Sequence, residues 1–117
     1  MKKRFLMILV MVSWCNVGFA TGLTFEHFKN YRNDPSLELY IMGLLDGTKW
    51  TNVYVQVKHN KKLFCTPENL VLEPANAFRI IEQEAEKQLR TNSTSVVDDM
   101  TMIKLLIWGM ESTFPCK

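Results

Sequence analysis

Two cysteines behind a leader segment constrain this fold more than any other feature of the chain. Cys65 lies in the segment Phe-Cys-Thr-Pro, and Cys116 lies in the terminal segment Phe-Pro-Cys-Lys. The third cysteine, Cys15, falls within the leader. In an oxidising compartment a lone pair of cysteines forms a disulfide by default. The sequence therefore predicts a Cys65–Cys116 disulfide and favours a structural role over a catalytic dyad or a metal site.

Residues 1–20 have the three parts of a Sec signal peptide. A basic start precedes an apolar run over residues 5–14, and the small residues Gly18 and Ala20 precede a cleavage site before Thr21. The apolar run is shorter than the roughly 20 residues that a membrane-spanning helix needs. We therefore expect export to the periplasm and no membrane association after cleavage.

Cys15 offers an alternative in which the leader carries a lipid. The segment Val-Ser-Trp-Cys at residues 12–15 has the place of a lipobox, but the bulky Trp14 fits that site badly. Cleavage before Thr21 is the preferred prediction.

Removal of the leader changes the charge of the chain. The whole sequence has 14 basic and 12 acidic residues, and three of the basic ones lie in the leader. The mature chain then has 11 basic residues against 12 acidic ones and a net charge of about −1. Nucleic-acid binding needs clustered Lys and Arg, and the mature chain has only one short group of basic residues, at positions 58–62, which suits a solvated turn. The composition therefore argues against a nucleic-acid partner.

The mature chain, residues 21–117, has the length of one small domain. A Cys65–Cys116 disulfide would close a loop of about 50 residues, which the chain-entropy description values at about 4 kcal/mol. Because small domains are stable by only about 5–15 kcal/mol, this is a large contribution.

Helical spacing of apolar residues runs through most of the mature chain and predicts an all-α fold. We expect a first helix from Thr24 to Tyr31. A second should start at Pro35 with Asp34 as its cap and extend to about Val57. A third should start at Pro74, and its buried face consists of Phe78, Ile81, Ala85 and Leu89.

The last helix is expected to start near Ser95, which with Asp98 has the spacing of a capping box, and to end before Pro115. Its predicted apolar stripe consists of Val96 or Val97, Met100, Ile103, Ile107, Met110 and Phe114, and Leu105, Leu106 and Trp108 broaden it. The expected architecture is a small bundle of about four helices joined by one disulfide.

Gly43 and Gly47 stand four residues apart on one face of the second helix. Each glycine costs roughly 0.5–1 kcal/mol relative to alanine in a helix, so the spacing suggests close helix packing inside the bundle. On this interpretation Gly43→Leu should damage folding.

The residue types that perform catalysis or bind metals are scarce. His27 and His59 do not have a metal-ligand spacing, and both cysteines are assigned to the disulfide. Asp98 and Asp99 are adjacent, so they point about 100° apart on a helix and suit capping or solvation better than acid–base catalysis. The sequence predicts no catalytic residues, no metal, no cofactor and no enzymatic activity.

Several segments together give the chain a family resemblance. The segments are Tyr40, Gly43 and Gly47 in an early helix, then Phe64-Cys65-x-Pro67, then an amphipathic helix, then an apolar helix ending in Phe114-Pro115-Cys116. From about Leu23 to Lys117 the chain resembles the Rap/Tai family of periplasmic immunity proteins, which protect bacteria from type VI secretion amidases.

The resemblance implies a small all-helical protein, similar in fold to the acid-stress chaperone HdeA, with Cys65 and Cys116 as its disulfide. Members of the family bind a cognate peptidoglycan amidase, commonly as homodimers, and occlude its active site. Tyr40, Gly43 and Gly47 would be its helix-packing positions.

Two exposed regions are candidates for the partner contact, because an inhibitor needs an accessible rigid surface with a few anchors. One is the charged face of the third helix, with Glu82 and Glu86, and the other is the loop at residues 59–62. Solvation is the alternative role for both.

Two other functions are weighed against immunity. A periplasmic HdeA-like acid-stress chaperone would share the helical, disulfide-linked design and would expose apolar surface when its carboxylates protonate. A small secreted hydrolase is the remaining alternative, but it needs a nucleophile and a base that the sequence does not display.

Overall fold

The computed structural model describes residues 22–117, which contain five helices and no β-strand. The predicted all-α fold is confirmed for this part of the chain. The leader, its cleavage site and Cys15 lie outside the described residues. The helices are α1 (Phe25–Asn30), α2 (Pro35–His59), α3 (Pro74–Leu89), α4 (Thr94–Asp98) and α5 (Met102–Thr113).

The first three helices begin where the sequence predicts. Thr24 is the N-cap of α1. Asp34 caps α2, since its Oδ1 accepts the Ser36 N–H at 2.9 Å and the Ser36 hydroxyl at 2.7 Å. Pro35 and Pro74 occupy first-turn positions of α2 and α3, where a missing N–H costs no hydrogen bond.

The second helix ends at Asn60, which adopts a left-handed conformation with φ of 51°. Asparagine tolerates this conformation better than most residues, and it terminates many helices. The chain then continues as a segment without regular structure, residues 60–73, which we call the Cys65 loop.

The last helix of the sequence prediction is two helices. Ser93, not Ser95, caps α4, because its hydroxyl accepts the Val96 N–H at 3.4 Å. A second cap, Thr101, accepts the Lys104 N–H at 3.3 Å and starts α5. The predicted continuous helix from Ser95 is therefore wrong.

The break between α4 and α5 pairs with the segment before α1. Phe25 N–H donates to the carbonyl of Met100, and Met102 N–H donates to the carbonyl of Leu23, each at 2.8 Å. An isolated antiparallel bridge forms between Thr24 and Thr101. Because the Met100 carbonyl and the Met102 N–H are bonded to the N-terminal segment, they are not available for hydrogen bonds within a helix. A continuous helix from α4 to α5 is therefore interrupted at this point.

The buried faces of α3 and α5 form most of the core. In α3, Phe78, Ile81 and Ala85 are buried as predicted, whereas Leu89 is exposed. The predicted stripe of α5 is partly confirmed, because Leu105, Leu106 and Met110 are buried. It is wrong in its centre line: Ile103 and Ile107 are only half-buried, and Met102 and Gly109 complete the face against the core.

The Cys65–Cys116 disulfide is present, as predicted. It joins the Cys65 loop to the end of α5, and Cys65 N–H also donates to the Phe114 carbonyl at 2.8 Å. The side chain of Asn52 on α2 fixes the other side of the loop: its Nδ2 donates to the Phe64 carbonyl at 2.9 Å, and its Oδ1 accepts the Leu63 N–H at 2.8 Å.

One buried carboxylate lies between α3 and α5. Glu84 is 3% exposed, and its Oε1 accepts a hydrogen bond from Gln88 at 2.8 Å while its Oε2 accepts one from Ser112 at 3.3 Å. Lys87 Nζ lies 3.9 Å from the same carboxylate. Hydrogen bonding and a nearby charge compensate for burial of this group.

Candidate protein-binding surface

The residues with catalytic potential have structural contacts. Nδ1 of His27 lies 2.9 Å from the Thr24 hydroxyl at the start of α1, and its ring stacks on Tyr31. Asp98 forms an ion pair with Lys29 at 2.6 Å. His59 is exposed at the end of α2, on another element. The structure does not bring these residues into one constellation.

Two further findings concern residues 22–117 only. Within that range no three His, Cys, Asp or Glu side chains cluster as a metal site would require. None of the described helices combines the length and the apolar composition needed to cross a bilayer.

Helix α2 has apolar residues on two opposite sides. Leu37, Ile41 and Leu45 are buried against the rest of the protein. On the opposite side a second apolar set faces solvent, and Trp50 is 72% and Val57 75% exposed. We call this set the outer stripe: Leu39, Met42, Trp50, Val53, Tyr54 and Val57.

The outer stripe follows the spacing of a helix-pairing seam. Positions 39, 43, 46, 50, 53 and 57 are separated alternately by four and three residues, so they lie in one line along α2. Four of them belong to the outer stripe, Leu39, Trp50, Val53 and Val57, while the other two are Gly43 and the charged Asp46. The line spans about 27 Å at 1.5 Å per residue. Contiguous exposed apolar surface of this kind marks an interaction site more often than isolated exposed residues do.

The predicted packing of Gly43 and Gly47 inside the bundle is wrong. Both glycines are exposed, and a β-carbon at either position would have no atom within 4 Å. Gly43→Leu therefore has space in the described structure, and the predicted damage to folding has no steric cause. Both glycines lie beside the outer stripe, on the exposed side of α2.

Tyr40, the third predicted packing residue, does contact the protein. Its side chain is half-buried against the core, and its hydroxyl accepts the Leu23 N–H at 3.3 Å. Tyr40 thus helps to hold the segment before α1.

Glu82 and Glu86, the predicted partner contacts, lie on the outer side of α3. Glu82 is already paired with Arg32, whose Nε lies 2.8 Å from Glu82 Oε1. Glu86 is exposed, as are Arg79 on α3 and Arg90, the residue that caps its end. This face is of mixed charge, so its described features suit a solvated surface as well as a partner contact.

The Cys65 loop and the second half of α2 enclose a groove of about 220 Å³, which we call the basic groove. Phe64 and Met110, both buried, line it together with Lys49 and Lys62, both exposed. The remaining lining residues are Asn52, Val53, Gln56, Thr66, Leu70 and Leu72.

A larger and more open groove of about 630 Å³ lies between the first half of α2 and the start of α3. Its charged residues are Arg32, Glu38 and Glu73. Because Arg32 is already paired with Glu82 and stacks over the Phe78 ring at 4.3 Å, this groove has no unpaired cation to select an anionic ligand.

Sequence reasoning missed the outer stripe and the basic groove. The spacing of Trp50, Val53 and Val57 was a signal for the stripe, but it coexists with a more regular buried set on the same helix. The groove had only a partial signal: the candidate loop at residues 59–62 contributes Lys62, while its other walls come from α2, the rest of the Cys65 loop and α5.

Comparison of the chain with protein-family models, curated protein sequences and solved structures gave no match.

Proposed function

We propose that this chain is a periplasmic immunity protein that binds a type VI secretion peptidoglycan amidase and occludes its active site. The proposal combines the Rap/Tai resemblance of the sequence with one structural observation, the exposed outer stripe of α2. Association with another protein chain is what such a surface supports best, because contiguous exposed apolar area marks interaction sites. In the homodimer described below that chain is a second copy, and the amidase contact lies elsewhere on the protein.

The rest of the structure suits an inhibitor that must keep its shape. A binding surface that is already ordered loses less conformational entropy on association. The disulfide, the Asn52 hydrogen bonds and the Thr24–Thr101 bridge connect distant segments of the chain. Occlusion also requires no reactive group from the inhibitor.

Within this proposal, the outer stripe pairs with the same stripe of a second copy. A two-fold dimer needs one self-complementary patch, and a line of small and large residues along a straight helix can supply it. Gly43 and Gly47 would let the two helices approach closely around Trp50 and Tyr54. The homodimer implied by the resemblance would thus use α2 from each copy.

The test of immunity is titration of the purified mature protein into peptidoglycan hydrolysis by the amidase encoded beside it. We expect activity to fall to zero at a near-equal molar ratio. Full hydrolysis in the presence of excess protein, with no complex on gel filtration, would contradict the proposal. Boiled and reduced protein serves as the inactive control.

One observation supports an acid-stress chaperone as the second candidate. The ion pairs Lys29–Asp98 and Arg32–Glu82 attach α1 and the following turn to α4 and α3. Loss of these two attachments in acid would uncover the apolar residues of α1. Client protection that occurs at pH 3 and is absent at pH 7 would favour this function, and its absence at both values would eliminate it.

A further inference from the structure

We infer that the basic groove binds a segment of the partner amidase in which an apolar side chain lies between carboxylates. This inference rests on the proposed function and specifies its contact surface. It assigns the groove, rather than Glu82 and Glu86, as the place where the partner is anchored.

The size of the groove limits its occupant. Pockets for drug-sized ligands usually measure about 300–1,000 Å³. The groove measures about 220 Å³, and Phe64, Leu72 and Met110 give it an apolar lining. One apolar side chain of a partner protein fits this volume and lining better than a cofactor or a sugar chain does.

The charges around the groove determine what must flank that side chain. Lys49 and Lys62 line it, and within residues 22–117 neither ammonium group has a carboxylate within 4 Å. Lys58 and Lys61 are close in sequence, and Glu68 is the only carboxylate between residues 58 and 72. A partner with carboxylates at this position would gain affinity and a faster association rate.

The groove is also held in shape before any partner arrives. Asn52 fixes the backbone of Leu63 and Phe64 on one side. On the other side the disulfide and the Cys65–Phe114 hydrogen bond attach the loop to α5. A preformed anchor pocket beside fixed charges is typical of the centre of a tight interface.

The first experiment tests the groove without the amidase. Amide and side-chain NMR signals of the mature protein are followed during addition of acetyl-Asp-Leu-Asp-amide, with acetyl-Lys-Leu-Lys-amide and acetyl-Asp-Gly-Asp-amide as matched controls. We expect the first peptide alone to shift the signals of Asn52, Phe64 and Leu72. Equal shifts with all three peptides, or none with the first, would overturn the inference.

The second experiment measures amidase affinity for charge-reversal variants. Lys49→Glu with Lys62→Glu should weaken binding by about tenfold or more and reduce its salt dependence. Arg79→Glu with Arg90→Glu is the control, because it makes the same charge change on the exposed side of α3. Circular dichroism melting of both variants verifies that each one folds.

The outcomes separate the two proposals. If the wild type binds the amidase and the groove variant binds equally well, the groove inference fails while immunity stands. If the wild type does not bind the amidase, immunity fails and the peptide titration still decides the chemistry of the groove. Concentration-dependent shifts at Phe64 and Leu72, which lie off α2, without peptide would assign the groove to a second copy and overturn the inference.

Discussion

Gly109 on α5 lies directly against Ile80 on α3. A β-carbon at Gly109 would overlap the Ile80 side chain and lie 3.1 Å from the Ile80 carbonyl oxygen. The carbonyl belongs to the α3 backbone and cannot move aside, so the two helices can approach this closely only because residue 109 is glycine.

We therefore expect Gly109→Ala to lower the free energy of unfolding by about 1–3 kcal/mol, the usual cost of overpacking a core. Urea denaturation of the mature protein measures the change. Gly43→Ala is the matched control, because its β-carbon meets no atom within 4 Å. That variant should gain about 0.5–1 kcal/mol when the protein is dilute enough to be monomeric. Equal losses in both variants would contradict the close approach at Gly109.

Substitutions in the outer stripe should change association and leave the fold intact. We expect Gly43→Leu to weaken the proposed dimer by about tenfold or more, which corresponds to about 1.4 kcal/mol, because a leucine would separate the paired helices. Trp50→Ser should have a similar effect through loss of apolar contact. Sedimentation equilibrium measures the dimer, and Glu86→Ser on α3 is the control. A wild-type protein that stays monomeric at high concentration would refute the α2 pairing.

Asn52 should contribute strongly to stability, because its one side chain makes several hydrogen bonds to the backbone of the Cys65 loop. Asn52→Ala removes the acceptor of the Leu63 and Phe64 N–H groups and the donor to the Phe64 carbonyl. Half-buried backbone groups that lose their partners cost about 1–3 kcal/mol, so we expect a loss of that order in urea denaturation. Asn92→Ala, which removes a shorter-range amide contact to Gln88, should cost less. A loss no larger than that of Asn92→Ala would argue against a stabilising role for the Asn52 hydrogen bonds to the Cys65 loop.

Asp34 should make part of the stability depend on pH. The backbone N–H and hydroxyl of Ser36 donate to its carboxylate and lower its pKa below the ordinary value of 3.8. Because the pKa is lower in the folded state, this contribution is present above pH 3.8 and is lost as pH falls through the folded pKa. The melting-temperature difference between wild type and Asp34→Ala should therefore shrink in strong acid. A difference that is constant from pH 7 to pH 2 would contradict the assignment.

The starts of α1, α2 and α3 could be predicted because their signals are local. A capping side chain at Thr24 or Asp34, and a proline at Pro35 or Pro74, act on the backbone within a few residues. The Cys65–Cys116 disulfide followed from the count of cysteines outside the leader and the exported context.

The division between α4 and α5 could not be predicted, because its cause is distant in sequence. The carbonyl of Met100 accepts the N–H of Phe25, so the helix break depends on a segment 75 positions earlier. Periodicity also could not tell which apolar side of α2 is buried, since both sides have helical spacing. This ambiguity explains why close helix packing was predicted at the wrong glycine. Gly109 is the glycine in close helix contact, whereas Gly43 lies on the exposed side of α2.

The disulfide makes the second half of this protein a covalent ring. Cys65 and Cys116 enclose α3, α4 and α5, while α1 and α2 form a tail that enters the ring at one point. A protease that cuts once between residues 66 and 115 opens the ring but leaves both pieces attached to each other. A cut between residues 60 and 64 instead leaves α1 and α2 with no covalent link to the ring, held only by their packing and hydrogen bonds. For a single-cut protease, the few residues between Asn60 and Cys65 are therefore the place where the two halves of the chain can be separated covalently.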